Sequence, residues 1–348
     1  MKKFKKIILS FLLILIILFA INYFLNSFNQ SKRLNLEKEQ QEFYNSQELE
    51  EEIESIIQKG IDFLYDSQLE YGEFKSYYCF DSNLSNCYFD SSPFITTFVL
   101  YSIKDISNPK VNEIREKAID FLLKEQKNGS WSYWTTSNNK TLVSDLDDTS
   151  CVSFILRQNN ITFKENIYLI KNNKNTEGLY YTWINPPFEN DLDCVVNTNV
   201  LLYLQENDSV VCKYLNDAIK NNKECSIYYP SRLSFYYMVS RAYSNNITCL
   251  SKSKQKIIKE IIHSQKEDGS VGNILETSLA LNTLINFDYK GKGIDKIINY
   301  LILNFDDAIN SKNLFYSYEI NSAYFYSEDL TLSIYLEGLN NYYSSYLN

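Results

Sequence analysis

The segment Lys117-Ala118-Ile119-Asp120-Phe121-Leu122-Leu123-Lys124-Glu125-Gln126-Lys127-Asn128-Gly129-Ser130-Trp131 decides the fold, because the chain repeats it. An earlier copy reads Lys59-Gly60, Phe63-Leu64, Gln68, Gly72 and Phe74. A later one runs from Lys256 through Gln265 to Gly269 and Val271, and all three keep a Lys-to-Gln interval of nine residues. Self-similarity at a roughly fixed period means stacked supersecondary units, each too small to bury its own apolar face. Weaker copies occupy the gaps, at Tyr168, Asn173, Gly178 and Tyr180, then Lys213, Asn222 and Cys225, then Lys296, Tyr300, Leu301 and Phe305. The register positions 68, 126, 173, 222, 265 and 305 give a period of 40 to 58 residues and six units.

A more apolar, helix-like stretch follows each copy, beginning near Asp90, Asp145, Asp191, Ser231, Ile274 and Glu328. Each unit therefore reads as an amphipathic outer helix, a Gly-aromatic turn, and an inner helix apolar on more than one face. An inner ring buried by an outer ring requires that pattern. The expectation is an all-α protein, a single (α/α)6 barrel of six helix pairs over residues 53–348, preceded by one N-terminal transmembrane helix.

Residues 1–28 read as that membrane anchor. Lys2, Lys3, Lys5 and Lys6 precede an apolar run from Ile7 to Leu25, broken only by Ser10 and Asn22. Its 19 residues span roughly 28 Å as a helix, close to the thickness of a bilayer's hydrocarbon layer. The lysines favour the cytoplasmic side, which places the barrel outside the cytoplasm as part of a single-pass membrane protein. A cleaved signal peptide is the rival, although no small-x-small site follows the run. Residues 29–52 read as a polar helical stalk with an acidic cluster at Glu48 and Glu50 to Glu52. A net charge of −9 argues against a nucleic-acid surface, which would show a basic patch.

Seven cysteines are present. Cys79 with Cys87, and Cys212 with Cys225, are possible disulfide pairs, while Cys151 and Cys194 read as small buried hydrophobes on inner helices.

Between the second repeat and its inner helix stands Asp145-Leu146-Asp147-Asp148-Thr149-Ser150. With the Lys-aromatic-Gln-Gly-Trp repeats, this acidic helix start resembles the terpenoid cyclase and protein prenyltransferase superfamily, nearest to the squalene-hopene cyclases and other protonation-initiated terpene cyclases. The resemblance covers about residues 50–348. It implies that Asp147 is the general acid that protonates a terminal alkene or epoxide, supported by Asp145 and Asp148. An alkene is a poor base, so its donor must be a carboxylic acid that keeps its proton and yet gives it up readily. Clustered carboxyl groups resist joint ionisation, and the positive end of a helix stabilises the conjugate base. A purely structural reading also exists, with Asp145 as N-cap and Asp148 at the third helical position of a capping box.

The chain departs from the resemblance in two ways. Those cyclases hold substrate between two barrels and many pair the acid with a histidine, whereas this chain has length for one barrel, and its sole histidine, His263, falls on an outer helix. Self-association is one way to supply a second barrel.

The next inner helix begins Asp191-x-Asp193-Cys194-x-x-Asn197-x-Asn199. Asp193 and Asn197 are four residues apart and share a helix face, which suggests a polar patch at the barrel mouth that contacts substrate. Asp193 and Cys194 are ligand types that prenyltransferases use for zinc, but no histidine matches, so neither a metal nor a cofactor is expected. Among the 29 tyrosines and 21 phenylalanines, clusters fall in turns at one end, and Trp134, Tyr181 and Trp183 are the candidates to line a cavity. Aromatic faces stabilise carbocations.

Two functions follow. One is a membrane-anchored, squalene-hopene-cyclase-like isomerase that cyclises an isoprenoid-type lipid using Asp147. The other is a non-catalytic extracytoplasmic barrel that binds a lipid, glycan or peptide.

Overall fold

The computed structural model describes residues 47–138, 140, 143–318 and 323–347. The candidate anchor and most of the candidate stalk lie outside them. Among the described residues no helix is long and apolar enough to cross a membrane. Residues 47–52 are helical, and the body of the molecule is the unit from Ile53 to Tyr346.

Six inner helices form the core. They are α2 (Pro93–Ile103), α4 (Leu146–Gln158), α6 (Cys194–Leu204), α8 (Arg232–Ser244), α10 (Ile274–Asn286) and α13 (Glu328–Tyr342). Each packs on the next and α13 packs back on α2, which closes the ring. Every residue of α2 is buried, as is α6 from Cys194 to Tyr203. Around them lie α1 (the helical stretch 53–67), α3 (Pro109–Lys124), the short α5 (Ile167–Lys171), α7 (Ser209–Lys220), α9 (Lys254–Ser264) and α11 (Gly293–Leu303), which the short α12 (Phe305–Asn310) follows. The outer helices bury a single stripe, in α7 Val211, Cys212, Leu215, Ala218 and Ile219. The six inner helices begin within three residues of the positions read from the sequence, and the all-α barrel is present.

The repeat residues explain themselves once stacked. The aromatic or valine that ends each turn is buried, and its backbone N–H donates to a side chain on the following inner helix. Phe74 N reaches Thr96 Oγ1 at 2.9 Å, while Trp131 N to Thr149 Oγ1, Tyr180 N to Asn197 Oδ1 and Val271 N to Thr277 Oγ1 are each 3.0 Å. All four acceptors sit four residues past the helix N-cap (Ser92, Asp145, Asp193 and Asn273). The repeated glutamine ties one unit to the next, with Gln68 Nε2 donating to Gly72 O and Ile114 O, both at 3.0 Å, and Gln265 Nε2 donating to Gly269 O and Gly293 O. Gly72 and Gly269 have φ of +103° and +95°, and a Cβ on either would strike the carbonyl of Lys117 or Lys296 in the next repeat. Only glycine permits both that backbone conformation and that approach.

Two expectations change. A four-stranded antiparallel sheet, ordered β2-β1-β4-β3, adds to the helical architecture: β1 (Tyr77–Cys79), β2 (Cys87–Phe89), β3 (Leu314–Tyr318) and β4 (Ala323–Tyr326). It joins the segments before the first and last inner helices, with Tyr78 facing Phe325 across β1 and β4. These strands are three to five residues long and rich in tyrosine and phenylalanine. Such residues favour strands, but stretches this short also fit the aromatic turns of the repeat.

The cysteines also pair differently. Cys79–Cys87 is bonded as expected, but Cys225 joins Cys194, and Cys212 joins Cys249. The loop after α7 carries Cys225 back to the start of α6, where Cys194 N donates to Cys225 O at 3.0 Å. Cys194 is thus buried but is no free hydrophobe, while Cys151 is buried with a free thiol.

Candidate active site

A cavity of about 710 Å³ lies between the N-terminal ends of the inner helices and the sheet, within the range of small-molecule sites. Phe94 of α2, the acidic start of α4, Val196 of α6 and Tyr229 just before α8 form its floor, and Tyr78, Tyr316 and Phe325 come from the sheet. Aromatic rings dominate the lining. Tyr316 and Phe325 stack with centroids 4.6 Å apart, and Phe94 meets Tyr316 edge to face at 5.1 Å.

Asp145, Asp147 and Asp148 all line this cavity, and they do different things. Asp145 is the N-cap of α4, and its Oδ1 accepts from Asp148 N at 2.7 Å. Asp148 does not complete a capping box, because Asp145 N donates to Trp131 O instead. Burial pushes the Asp145 carboxyl up to about 7, with the neighbouring Asp147 charge adding to it. Burial, then the charges of Asp145 and Asp147, hold Asp148 well above the ordinary carboxylate range. One oxygen on each, Asp145 Oδ2 and Asp148 Oδ1, is buried without a hydrogen-bond partner among the described residues.

Asp147 has no capping duty. It is 9% exposed, and both its oxygens accept strong hydrogen bonds: Oδ2 from Tyr229 OH at 2.5 Å, Oδ1 from Asn199 Nδ2 at 2.6 Å. Behind Asn199, buried Arg241 donates from Nη2 to Asn199 Oδ1 at 2.7 Å, which fixes the amide with its NH2 toward Asp147. Burial raises the Asp147 pKa, while Tyr229, Asn199 and the Arg241 charge act to lower it. The opposed demands on a proton donor are therefore met by separate groups. Desolvation keeps the proton on, and the two donors with the arginine behind them hold the anion once it leaves.

The fold has solved counterparts. A protein from Actinoplanes superposes with a TM-score of 0.62 at 15% identity, covering 83% of this chain and 99% of its own. The type II terpene cyclase MstE from Scytonema, bound to its substrate geranylgeranyl dihydroxybenzoate, gives 0.63 at 11% identity over 84% and 98%. An ent-copalyl diphosphate synthase from Streptomyces platensis gives 0.55 at 14% identity, over 72% of this chain and 50% of that one. This is the terpenoid cyclase fold. No protein-family model matches the sequence, and no curated protein does.

On that cyclase fold, the other residues singled out from the sequence separate cleanly. Trp134 and Trp183 line the cavity. Asp191 Oδ2 orients Trp183 by accepting from its Nε1 at 3.2 Å, and accepts from Tyr228 OH at 2.6 Å. Tyr181 is half-buried and stands outside the lining, with its N–H bonded to Asn173 O. Asp193 caps α6 through Val195 N and Val196 N, and its second oxygen accepts from Ser226 Oγ and from the N–H groups of Ile227 and Tyr228. Asn197 is the repeat's turn latch. Neither Asp193 nor Asn197 lines the cavity. Cys194 is committed to its disulfide, and no cluster of three metal-binding side chains occurs among the described residues. His263 is exposed on α9.

The sequence reading passed over Asn199, Tyr229 and Arg241. Asn199 was visible as the second asparagine of Asn-x-Asn, two residues past the latch and so turned to a different face of α6. Tyr229 and Arg241 carry no local signal. They reach Asp147 only because α6 and α8 follow α4 around the ring.

Proposed function

We propose that this protein is a protonation-initiated isoprenoid cyclase, an isomerase with Asp147 as its general acid. The observation that carries the proposal is a buried carboxyl on the wall of an aromatic cavity, with both oxygens hydrogen-bonded and no part in capping its helix.

In the first step the Asp147 O–H bond breaks and a C–H bond forms at the terminal alkene. The alkene's π electrons supply the new bond and leave a tertiary cation. Asp147 becomes a carboxylate held by Tyr229 and Asn199. Attack by internal alkenes closes rings and moves the cation along the chain, past the faces of Phe94, Tyr133, Trp134, Trp183, Tyr316 and Phe325, each worth roughly 0.5–2 kcal/mol to a cation. Loss of one proton from carbon ends the sequence, so product and substrate are isomers and no co-reactant is needed. The sheet covers part of the cavity with Tyr78, Tyr316 and Phe325, and that cover would limit the water able to trap the cation.

Three disulfides fit an oxidising compartment. That agrees with a barrel held outside the cytoplasm by an anchor over residues 1–28.

The test is to incubate the full-length protein with C15 to C30 polyprenyl substrates and analyse the products by mass spectrometry. Cyclic isomers are expected from the native enzyme and not from Asp147→Asn. Binding of the same compounds without any product from the native enzyme would instead support the non-catalytic barrel.

A further inference from the structure

Resting on that reading, the charges around the cavity identify the kind of head group its substrate carries. Among the described lining residues, which include Asp145, Asp147 and Asp148, Lys140 is the single cation. Lys140 is already engaged. Its Nζ lies 2.9 Å from Oδ1 of Asp90, a carboxylate only 1% exposed, and 4.4 Å from the centroid of the Trp134 ring. The other oxygen of Asp90 accepts from Trp134 Nε1 at 2.9 Å. Lysine, aspartate and tryptophan therefore close on one another, and the pair contributes no net charge. Arg241 is separated from the cavity by Asn199 and spends its Nη2 there.

A diphosphate needs converging cations or bidentate arginines to replace its hydration. Among its described lining residues this cavity offers one neutralised lysine and no arginine. We infer that it takes an isoprenoid with an uncharged, hydrogen-bonding head group, such as an alcohol or phenol, and discriminates against prenyl diphosphates, with Asp90 as the residue that sets the choice by neutralising Lys140.

The experiment follows ligand binding to the full-length protein through tryptophan fluorescence, since Trp134 and Trp183 line the cavity. The probes are geranylgeraniol, its monophosphate and its diphosphate, with and without Mg²⁺. Affinity is expected to fall stepwise along that series, by about tenfold or more from alcohol to diphosphate. Asp90→Asn, which leaves Lys140 without its counter-charge, is expected to narrow the gap by about tenfold. The double variant Asp90→Asn with Lys140→Gln is expected to return it to the native value. The native series alone decides the matter if Asp90→Asn does not fold. Equal or tighter binding of the diphosphate in either buffer overturns the inference, as does an Asp90→Asn variant that folds and leaves the gap unchanged. Binding is read separately from turnover. A cyclised diphosphate would defeat the head-group inference and leave the role of Asp147 standing, whereas an alcohol bound but never cyclised would do the reverse.

Discussion

Helices α4 and α6 start almost alike in sequence, Asp145-x-Asp147 against Asp191-x-Asp193, yet they use their acids in opposite ways. Asp145 and Asp193 are both N-caps, and Thr149 and Asn197, four residues on, both latch the preceding turn. Aligned by cap, α4 has two acids left over, Asp147 and Asp148, where α6 has Val195 and Val196, and of the two it is Asp147 that has both oxygens hydrogen-bonded. Asp193 has every bond a carboxylate can use supplied by the protein. Asp147 is bonded by two side chains that no capping function requires, and it faces a cavity. An acidic motif at a helix start thus carries chemistry at the residue that the helix does not need for its own termination.

The largest effect that could break this comparison is at Asp147. Asp147→Asn is nearly isosteric and cannot donate the proton, so turnover should fall by about 10³-fold with little change in melting temperature. Asp193→Ala should do the opposite. It should lower the unfolding free energy by about 2–4 kcal/mol, through loss of a cap and several stranded donors, while the folded protein keeps its turnover number. A stable Asp193→Ala variant without activity would end the distinction.

Asn199→Ala and Arg241→Met sharpen the account of how Asp147 is tuned. Both remove influences that lower its pKa, so the carboxyl becomes a weaker acid. Turnover should drop by about 10–100-fold, and the alkaline limb of the pH–rate profile, where Asp147 loses its proton, should move to higher pH. A merely structural role for these residues would reduce the rate without moving the limb.

The smallest expected effect concerns Asp145, which holds its proton to a higher pH folded than unfolded. Its contribution to stability is complete below the ordinary carboxyl range near 3.8 and is lost as pH rises through about 7. Asp145→Asn keeps a competent cap and removes that titration. Its melting temperature should therefore fall less than the native protein's between pH 4 and 7, by about 2–4 °C, as measured by calorimetry across that range.

The barrel could be read from the sequence because its determinants are local and repeated. Gln68, Gly72 and Phe74 act on their own turn and the next unit, and the same spacing returns at Gln126 and Gln265. Asp147 was legible for the same reason, within a contiguous motif. The groups that surround it were not, because Asn199, Tyr229 and Arg241 come from two further units and meet Asp147 only in the assembled ring. The sheet was hidden for a related reason. Its four short strands come from opposite ends of the barrel sequence, and Tyr78 pairs with Phe325 across a separation that no local pattern reveals. Cys225 likewise chose Cys194 over the nearer Cys212 because the loop after α7 folds back to the cap of α6.

The most direct test is the mass spectrum of the product that the native protein forms from geranylgeraniol in deuterium oxide. Exchange loads Asp147 with deuterium, so the account predicts a cyclic isomer carrying one deuterium per molecule at the carbon protonated first, and none formed by Asp147→Asn. A cyclised product without deuterium, or no cyclised product at all, would contradict it.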